Sequence, residues 1–210
     1  KYSKKLYLSK PILRKEIYKI VKNESSKIKE PLNILILGGS QGAEFFDSTM
    51  QKLIISLSKV HKLKVSQQIQ DKKKESTISK IYDDHKIENY IFSFDKDLHD
   101  KFNLFDLAIT RSGASTISEL AYFKVPFIAI PFPFAKDDHQ YFNAKYYLDK
   151  NCCWIFEQKN FDYTKIINLL SEIIKNEKVY SEKKENLNKF SYQNAWNDIN
   201  EKLISLINEN

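Results

Sequence analysis

Short apolar runs alternate along the chain with longer segments whose apolar residues recur at helical spacing. The runs predict buried strands at residues 33–37, 64–69, 90–94, 107–110, 127–131 and 153–156. The spacing predicts helices at about 43–60, 75–84, 98–104, 115–123, 138–149, 163–176, 178–189 and 193–208. Because apolar strands that alternate with helices are typical of parallel sheets, the pattern predicts an α/β fold with helices on both faces of one sheet. Loops that follow the strands then meet at one edge, where such sheets bind ligands.

Both ends of the chain depart from this alternation. Residues 1–30 are predicted to be an interdomain linker, and residues 31–192 the α/β domain. Residues 193–210 are predicted to be a C-terminal helix with an apolar stripe, which packs either on its own sheet or toward another domain. Trp196 lies in that stripe, and exposure of its large ring would mark a missing partner.

Composition indicates a globular protein with a sizeable core. The 210 residues are 42% hydrophobic and include 14 Phe and 12 Tyr. No run approaches the ~20 apolar residues of a membrane span. The chain opens at Lys1, which suggests a processed protein or a piece of a longer one. The adjacent Cys152 and Cys153 lie in an apolar run, so we expect buried thiols in a reducing, cytoplasmic compartment.

The net charge of +7 does not by itself indicate a nucleic-acid partner. Only Arg14 and Arg111 are arginines among the 34 basic residues, and acidic residues are interspersed with the lysines. That distribution is typical of a solvated surface and of codon bias in an AT-rich genome. Nucleic-acid reading motifs are not recognisable, so we expect no nucleic-acid partner.

The first candidate for chemistry is a glycine loop after the first strand. Three of the four glycines of the chain lie in Gly38-Gly39-Ser40-Gln41-Gly42, between an apolar run and a helix start. Such a loop leaves backbone N–H groups open at a helix N-terminus, where the dipole favours anions. The spacing is neither a P-loop nor a dinucleotide fingerprint. The loop is therefore predicted to hold a diphosphate, with Ser40 adding a hydroxyl, and a plain tight turn is the alternative.

A second loop carries the fourth glycine. Gly113 precedes Ala114-Ser115-Thr116 at the start of a helix, and the N–H groups there are again predicted to face an anion. Glu119 offers a carboxylate able to accept two hydrogen bonds from a ribose diol. Its alternatives are a first-turn residue that complements the helix dipole and a capping-box partner.

A third loop follows the fifth strand and leads to His139, Gln140 and Asn143. Amide side chains both donate and accept, which suits sugar hydroxyls. His139 has no second His or Cys at ligand spacing, so no metal is predicted there, and it is either a base or a polar residue at a helix start. No acidic pair is assigned to a divalent cation. Together the three loops predict a site for a nucleoside diphosphate sugar, with neither metal nor cofactor.

The three motifs, in this order and spacing, resemble the C-terminal half of MurG-type glycosyltransferases of family 28, over about residues 8–175. The resemblance implies a Rossmann-like, UDP-GlcNAc-binding half of a GT-B enzyme. It also implies an inverting transfer of GlcNAc to lipid I, which forms lipid II for peptidoglycan, cell shape and cell division. The full enzyme would then work as a peripheral protein at the inner face of the cytoplasmic membrane.

The resemblance also implies roles for individual residues. Ser40, with Gly39 and Gln41, would meet the diphosphate, and Glu119 would hold the ribose hydroxyls. The backbone of Asp95 would read the uracil. The remaining donor contacts implied are Ala114, Ser115 and Thr116 for nucleotide and phosphate, Gln140 with His139 and Asn143 for GlcNAc, and Arg14, which lies one place later than the arginine of the family's Asn-Pro-Val-Arg motif.

The family's N-terminal Gly-Gly-His loop has no counterpart in these 210 residues. The resemblance therefore implies that the catalytic base, the lipid I site and the membrane-docking surface lie outside this chain, which alone should bind donor but turn over little. One alternative is a stand-alone UDP-sugar-binding subunit of the eukaryotic kind that needs a separate membrane partner. Another is a non-catalytic nucleotide-sugar-binding module.

Overall fold

The computed structural model describes residues 11–20, 28, 30–39, 43–190 and 195–208. Its centre is a parallel sheet of six strands in the order β3-β2-β1-β4-β5-β6. The strands are β1 Leu32–Leu37, β2 Leu63–Gln68, β3 Glu88–Phe92, β4 Leu107–Thr110, β5 Phe127–Ala129 and β6 Cys153–Ile155. The helices are α1 Ala43–Ser58, α2 Glu75–Asp84, α3 Ala114–Tyr122, α4 His139–Leu148, α5 Tyr163–Lys175, α6 Glu177–Asn188 and α7 Ala195–Asn208. This is the predicted α/β fold.

The strands form where the apolar runs predicted them, with ends displaced by at most two residues. The third strand ends at Phe92 rather than at residue 94, and the fifth ends at Ala129 rather than at residue 131. Pro131 has no N–H to continue the ladder beyond Ile130, whose amide still bonds the carbonyl of Thr110. The segment Leu98–Leu104, predicted as a helix, is a 3₁₀ helix.

Side chains from β1 alternate between the two faces of the sheet, as strand geometry requires. Ile34 and Ile36 pack in a core cluster with α1, α2 and α5. Leu35 and Leu37 pack in a second cluster with α3 and α4. Because both faces of the sheet are covered by helices, the central strands β1 and β4 are buried and mostly apolar on both sides.

The described part of the predicted linker packs on the domain. Leu13 and Ile17 are buried in the cluster that also holds α3 and α4, and Lys15–Lys19 form a 3₁₀ helix. The indole N–H of Trp196, at the start of α7, donates to the carbonyl of Leu13 at 2.8 Å. The first turn of the C-terminal helix therefore lies against residues 11–20. The proposed division at residues 30 and 192 stays a prediction.

The strand order creates one break in the direction of winding. From β1 the chain winds outward to β3, returns past β1 to β4, and continues to β6. The loops after β1 and β4 therefore leave the sheet in opposite directions and open a crevice between them. Within the described ranges, no helix is long and apolar enough to cross a bilayer.

Candidate functional site

The crevice between β1 and β4 is a cavity of ≈ 510 Å³, within the range of sites for small ligands. The ends of four neighbouring strands line it, together with the first two turns of α3 and one residue of α4. The segment that precedes the 3₁₀ helix Lys15–Lys19 also lines it. Residues with polar or charged side chains that line it are Arg14, Gln68, Asp95, His99, Thr110, Arg111, Ser115, Thr116, Glu119 and Gln140. The predicted meeting of three loops at one edge thus forms a single concave site.

The first glycine loop enters the cavity through Gly38 and Gly39. Gly39 has φ +67°, a conformation that L side chains rarely adopt, so glycine is favoured there. The backbone N–H of Arg111 donates to the carbonyl of Leu37 at 3.0 Å, which ties the loop after β4 to the last residue of β1. Ser40, Gln41 and Gly42, which were predicted to meet the diphosphate, lie outside the described residues.

The N-terminus of α3 lies at the wall of the cavity. Gly113 is the N-cap and provides no side-chain cap, and the first intrahelical bond of the helix runs from Ile117 to Gly113. Helix geometry therefore leaves the N–H groups of Ala114, Ser115 and Thr116 without intrahelical acceptors. Ser115 and Thr116 line the cavity. The helix therefore starts with open backbone donors, with Gly113 as its N-cap, and anion binding there stays a prediction.

Glu119 lies on the cavity wall and is nearly buried, with 8% of its surface exposed. It is the sixth residue of α3, so both alternatives for it, a first-turn charge and a capping-box partner, are wrong. Arg14 reaches it from the segment before the first 3₁₀ helix, with Nε 3.2 Å from Oε1 and Nη2 3.3 Å from Oε2. Burial raises the pKa of the Glu119 carboxyl, while Arg14, and more weakly His99, act to lower it.

Arg111 is a buried cation behind the two glycine loops. Its Nη1 donates to the carbonyls of Ile130 and Pro131 at 3.0 and 3.1 Å, and its Nη2 donates to Gln158 Oε1 at 2.6 Å. The guanidinium also stacks 4.8 Å from the ring of Phe46. Burial lowers the pKa of Arg111 to about 10, so the group stays charged at neutral pH. No role was predicted for Arg111, although an arginine in so lysine-rich a chain indicates a need for its planar fork of N–H donors.

Asp95 lines the cavity, but its carboxylate is already engaged. Its Oδ2 accepts from Lys101 Nζ at 2.5 Å and its Oδ1 from the amide of Asp97 at 3.0 Å. Burial acts to raise the pKa of Asp95, yet these bonds lower it on balance. The side chain is thereby held by its own loop, which leaves the backbone of Asp95 as its means of contacting a ligand.

The three polar residues of the third motif are placed differently. Gln140 lines the cavity, and its Oε1 accepts from the amide of Phe132 at 3.0 Å, which leaves its amide donors for a ligand. Asn143 instead donates to the carbonyl of Ser112 at 3.1 Å and so braces the loop after β4. His139 is exposed, bonds the carbonyl of Lys136 at 2.8 Å, and is not among the residues that line the cavity.

Asp95 and Asp97 have Asp-x-Asp spacing, although no cation site was predicted there. Their hydrogen bonds turn Asp95 toward Lys101 rather than toward a shared ligand. In the part of the chain that the structure describes, no group of three or more His, Cys, Asp or Glu side chains is arranged to hold a metal ion.

Comparison with known proteins identifies the same architecture. Residues 33–199 match the glycosyltransferase family 28 C-terminal domain. The UDP-N-acetylglucosamine–N-acetylmuramyl-(pentapeptide) pyrophosphoryl-undecaprenol N-acetylglucosamine transferase of Pelagibacter ubique (strain HTCC1062) is 42% identical over 210 residues, which are 100% of this chain and 58% of the relative. The transferase of the same name from Rickettsia bellii (strain RML369-C) is 36% identical over 184 residues, 84% of this chain and 51% of the relative.

The crystal structure of MurG from Acinetobacter baumannii superposes with a TM-score of 0.71 at 26% sequence identity. The superposition covers 88% of this chain and 51% of that one. The chain therefore spans little more than half the length of the relatives that it matches. Since the family match covers residues 33–199, most of the chain, the chain belongs to the glycosyltransferase family 28 C-terminal domains.

Proposed function

We propose that this chain is the donor-binding half of an inverting glycosyltransferase that moves GlcNAc from UDP-GlcNAc to lipid I, forming lipid II. The observation that carries the proposal is the cavity at the switch point of the sheet, where a helix N-terminus, a glycine loop and the carboxylate of Glu119 converge. The names of the two curated relatives and of the solved MurG structure supply the reaction.

Each part of a UDP-sugar has a chemically matched partner in the cavity. The free N–H groups at the start of α3 and the loop at Gly39 suit the diphosphate. Glu119 suits the ribose diol, and the backbone at Asp95 suits the uracil edge. Gln140 suits the GlcNAc hydroxyls, whereas the placement of His139 and Asn143 favours support of the loops. Ser40 and Gln41 remain proposed diphosphate contacts on the strength of the motif.

The cavity also favours departure of UDP. When the acceptor hydroxyl attacks the anomeric carbon, the bond to the β-phosphate oxygen breaks and negative charge develops on that phosphate. The dipole of α3 and the guanidinium groups of Arg14 and Arg111 stabilise that charge without a metal ion. The base that takes the acceptor proton, the lipid I site and the contact with the inner membrane face are proposed to belong to the remainder of the full enzyme.

The experiment is an isothermal titration of the purified chain with UDP and UDP-GlcNAc, repeated in EDTA. We expect both to bind, with unchanged affinity in EDTA, and CDP and GDP to bind more weakly. Absence of UDP binding would contradict the proposal, and loss of binding in EDTA would overturn its metal-free part.

A stand-alone UDP-sugar-binding subunit with a separate membrane partner would bind UDP in the same titration. The two proposals differ in what precedes Lys1 in the gene. An in-frame acceptor domain favours the transferase half, and a start codon favours the subunit. Identity of 42% along the full chain to a longer transferase favours the first.

A further inference from the structure

We infer that the C-terminal helix α7 takes part in donor binding, with Trp196 as a positioning residue that acts on the cavity through Leu13 and Arg14. The inference rests on the proposed function, since it concerns the same cavity. The hydrogen bond between Trp196 and Leu13 joins residues that are 183 positions apart in sequence. Neither of these two residues lines the cavity itself.

Trp196 fixes the backbone next to Arg14. Its indole N–H donates at 2.8 Å to the carbonyl of Leu13, and that carbonyl belongs to the peptide unit that leads into Arg14. The side chain of Leu13 is itself buried in the core. The Nζ of Lys15 lies 5.1 Å from the centre of the Trp196 ring. The short segment on both sides of Arg14 is therefore held against α7.

Arg14 needs this support because its side chain is poorly confined. The side chain is 55% exposed, and its described hydrogen bonds go to Glu119, 105 residues away. A long exposed side chain loses substantial rotamer freedom when it is held in one geometry, so the ion pair depends on where the backbone is placed. The amide of Ile17 bonds the carbonyl of Arg14 at 3.1 Å and fixes the other side of the residue.

The state of Glu119 depends in turn on Arg14. The charged and titratable groups that act on its carboxylate are Arg14, from the segment held by α7, and His99, from the 3₁₀ helix Leu98–Leu104. A nearly buried carboxylate is ready to accept two ribose hydroxyls only while it is ionised. If Arg14 is displaced, the effect of burial on the pKa of Glu119 is opposed less strongly. Glu119 then takes up a proton at a higher pH.

The test compares the full chain with Trp196→Phe, which removes the indole N–H and retains an aromatic ring beside Lys15. UDP affinity is measured by calorimetry between pH 5 and 8 for wild type, Trp196→Phe, Arg14→Gln and the double variant. We expect Trp196→Phe to weaken UDP binding about 2- to 10-fold, the usual effect of one lost hydrogen bond. The pH below which UDP binding is lost should also be higher in Trp196→Phe than in wild type. In the Arg14→Gln background, Trp196→Phe should have no further effect.

The second tryptophan provides a matched control. Trp154 lies on β6, where Lys183 lies over its ring, and it does not line the cavity. Trp154→Phe should bind UDP like wild type at every pH. NMR of the two indole N–H groups tests the inference without altering Trp196. The resonance that disappears in Trp154→Phe is that of Trp154. UDP should shift the resonance of Trp196 and leave the resonance of Trp154 unchanged.

Three results would overturn the inference while leaving the proposed function intact: wild-type UDP affinity and pH profile in Trp196→Phe, an equal loss of affinity in the Arg14→Gln background, or a Trp196 resonance that does not respond to UDP. Absence of UDP binding to the wild-type chain would instead refute the proposed function, and the inference with it.

Discussion

Glu119 holds an unusual position for a carboxylate, since it is nearly buried in a cavity and its ion-pair partner Arg14 is half exposed. Burial raises its pKa above the ordinary value of 4.5 despite that partner. A carboxyl whose folded pKa is raised holds its proton more tightly in the folded state. As the pH rises from about 4.5 through the folded pKa, ionisation of Glu119 therefore lowers the free energy of unfolding. A carboxylate whose ionisation costs stability and that lines a cavity is better explained by binding than by folding.

The first prediction follows for Glu119→Gln. An amide of the same shape cannot accept two charge-assisted hydrogen bonds, so UDP affinity should fall by on the order of 2–4 kcal/mol, or about 30- to 1000-fold. The melting temperature should not fall at pH 7.5, and any gain over wild type should shrink at pH 4.5, where the carboxyl of wild type is protonated. Calorimetry and thermal unfolding at the two pH values measure both effects. A variant that melts earlier but binds UDP normally would assign Glu119 to folding instead.

The second prediction separates the two arginines. Arg111→Lys loses a planar fork that serves two carbonyls and Gln158 inside the protein, and a lysine ammonium cannot replace that fork. We expect the free energy of unfolding to fall by about 1–3 kcal/mol, because buried acceptors lose their donors. Arg14→Lys is the matched control. Its ion pair is half exposed, so the same measurement in urea should change by less than about 1 kcal/mol. Equal losses in the two variants would contradict the structural role assigned to Arg111.

At the scale of elements, two strand–loop–helix units around the cavity, β1 with α1 and β4 with α3, each carry a glycine. The two glycines differ in backbone conformation. Gly39 has φ +67°. Gly113 has φ −62°, which any residue adopts, and an added Cβ would meet no atom within 4 Å. Gly39 is therefore favoured by the backbone conformation, whereas the absence of a side chain at Gly113 keeps part of the cavity open.

The third prediction is that substitutions of these two glycines affect stability differently, although both weaken UDP binding. Gly39→Ala should lower stability by about 1–2 kcal/mol because alanine is strained at positive φ, and it should weaken UDP binding through the displaced loop. Gly113→Ala should leave the melting temperature nearly unchanged and still weaken UDP binding, since its methyl group would stand in the cavity. Thermal unfolding and calorimetry on both variants measure the pattern. Normal UDP binding by Gly113→Ala would show that the ligand does not approach this helix start.

The elements were predictable from sequence for a physical reason. Buried parallel strands such as Ile34–Leu37 read as apolar runs, and amphipathic helices repeat every three to four residues. Placement within the site was less predictable. The pairing of Arg14 with Glu119 and of Trp196 with Leu13 joins distant parts of the chain, and no local pattern encodes it. The different uses of Gln140 and Asn143 also depend on tertiary neighbours rather than on their shared chemistry.

At the scale of the whole molecule, the two ends of α7 have different surroundings. Trp196 at its start lies against residues 11–20, so the part of its stripe nearest the cavity packs on its own domain. Leu203, Ile204 and Ile207, further along, are more than half exposed. The start of the helix thus packs on the domain, and contact of its exposed end with another domain stays a prediction. The exposed end is available for contact with the remainder of a longer enzyme, since this chain covers 58% of the length of the Pelagibacter ubique relative.

The last prediction is that the purified chain binds UDP-GlcNAc but does not transfer GlcNAc to a lipid I analogue until an acceptor domain is supplied. Its four histidines offer little as a base. His61 is buried and bonded to Glu30, His85 bonds the carbonyl of Ile81, and His139 bonds that of Lys136. His99 is the one histidine that lines the cavity, and it lies on the side of Glu119, where the ribose is expected. Transfer is measured with labelled UDP-GlcNAc, first with the chain alone and then with the acceptor domain of a relative added in trans. Robust turnover by the chain alone would refute the half-enzyme proposal, and loss of that turnover in His99→Ala would then identify the base.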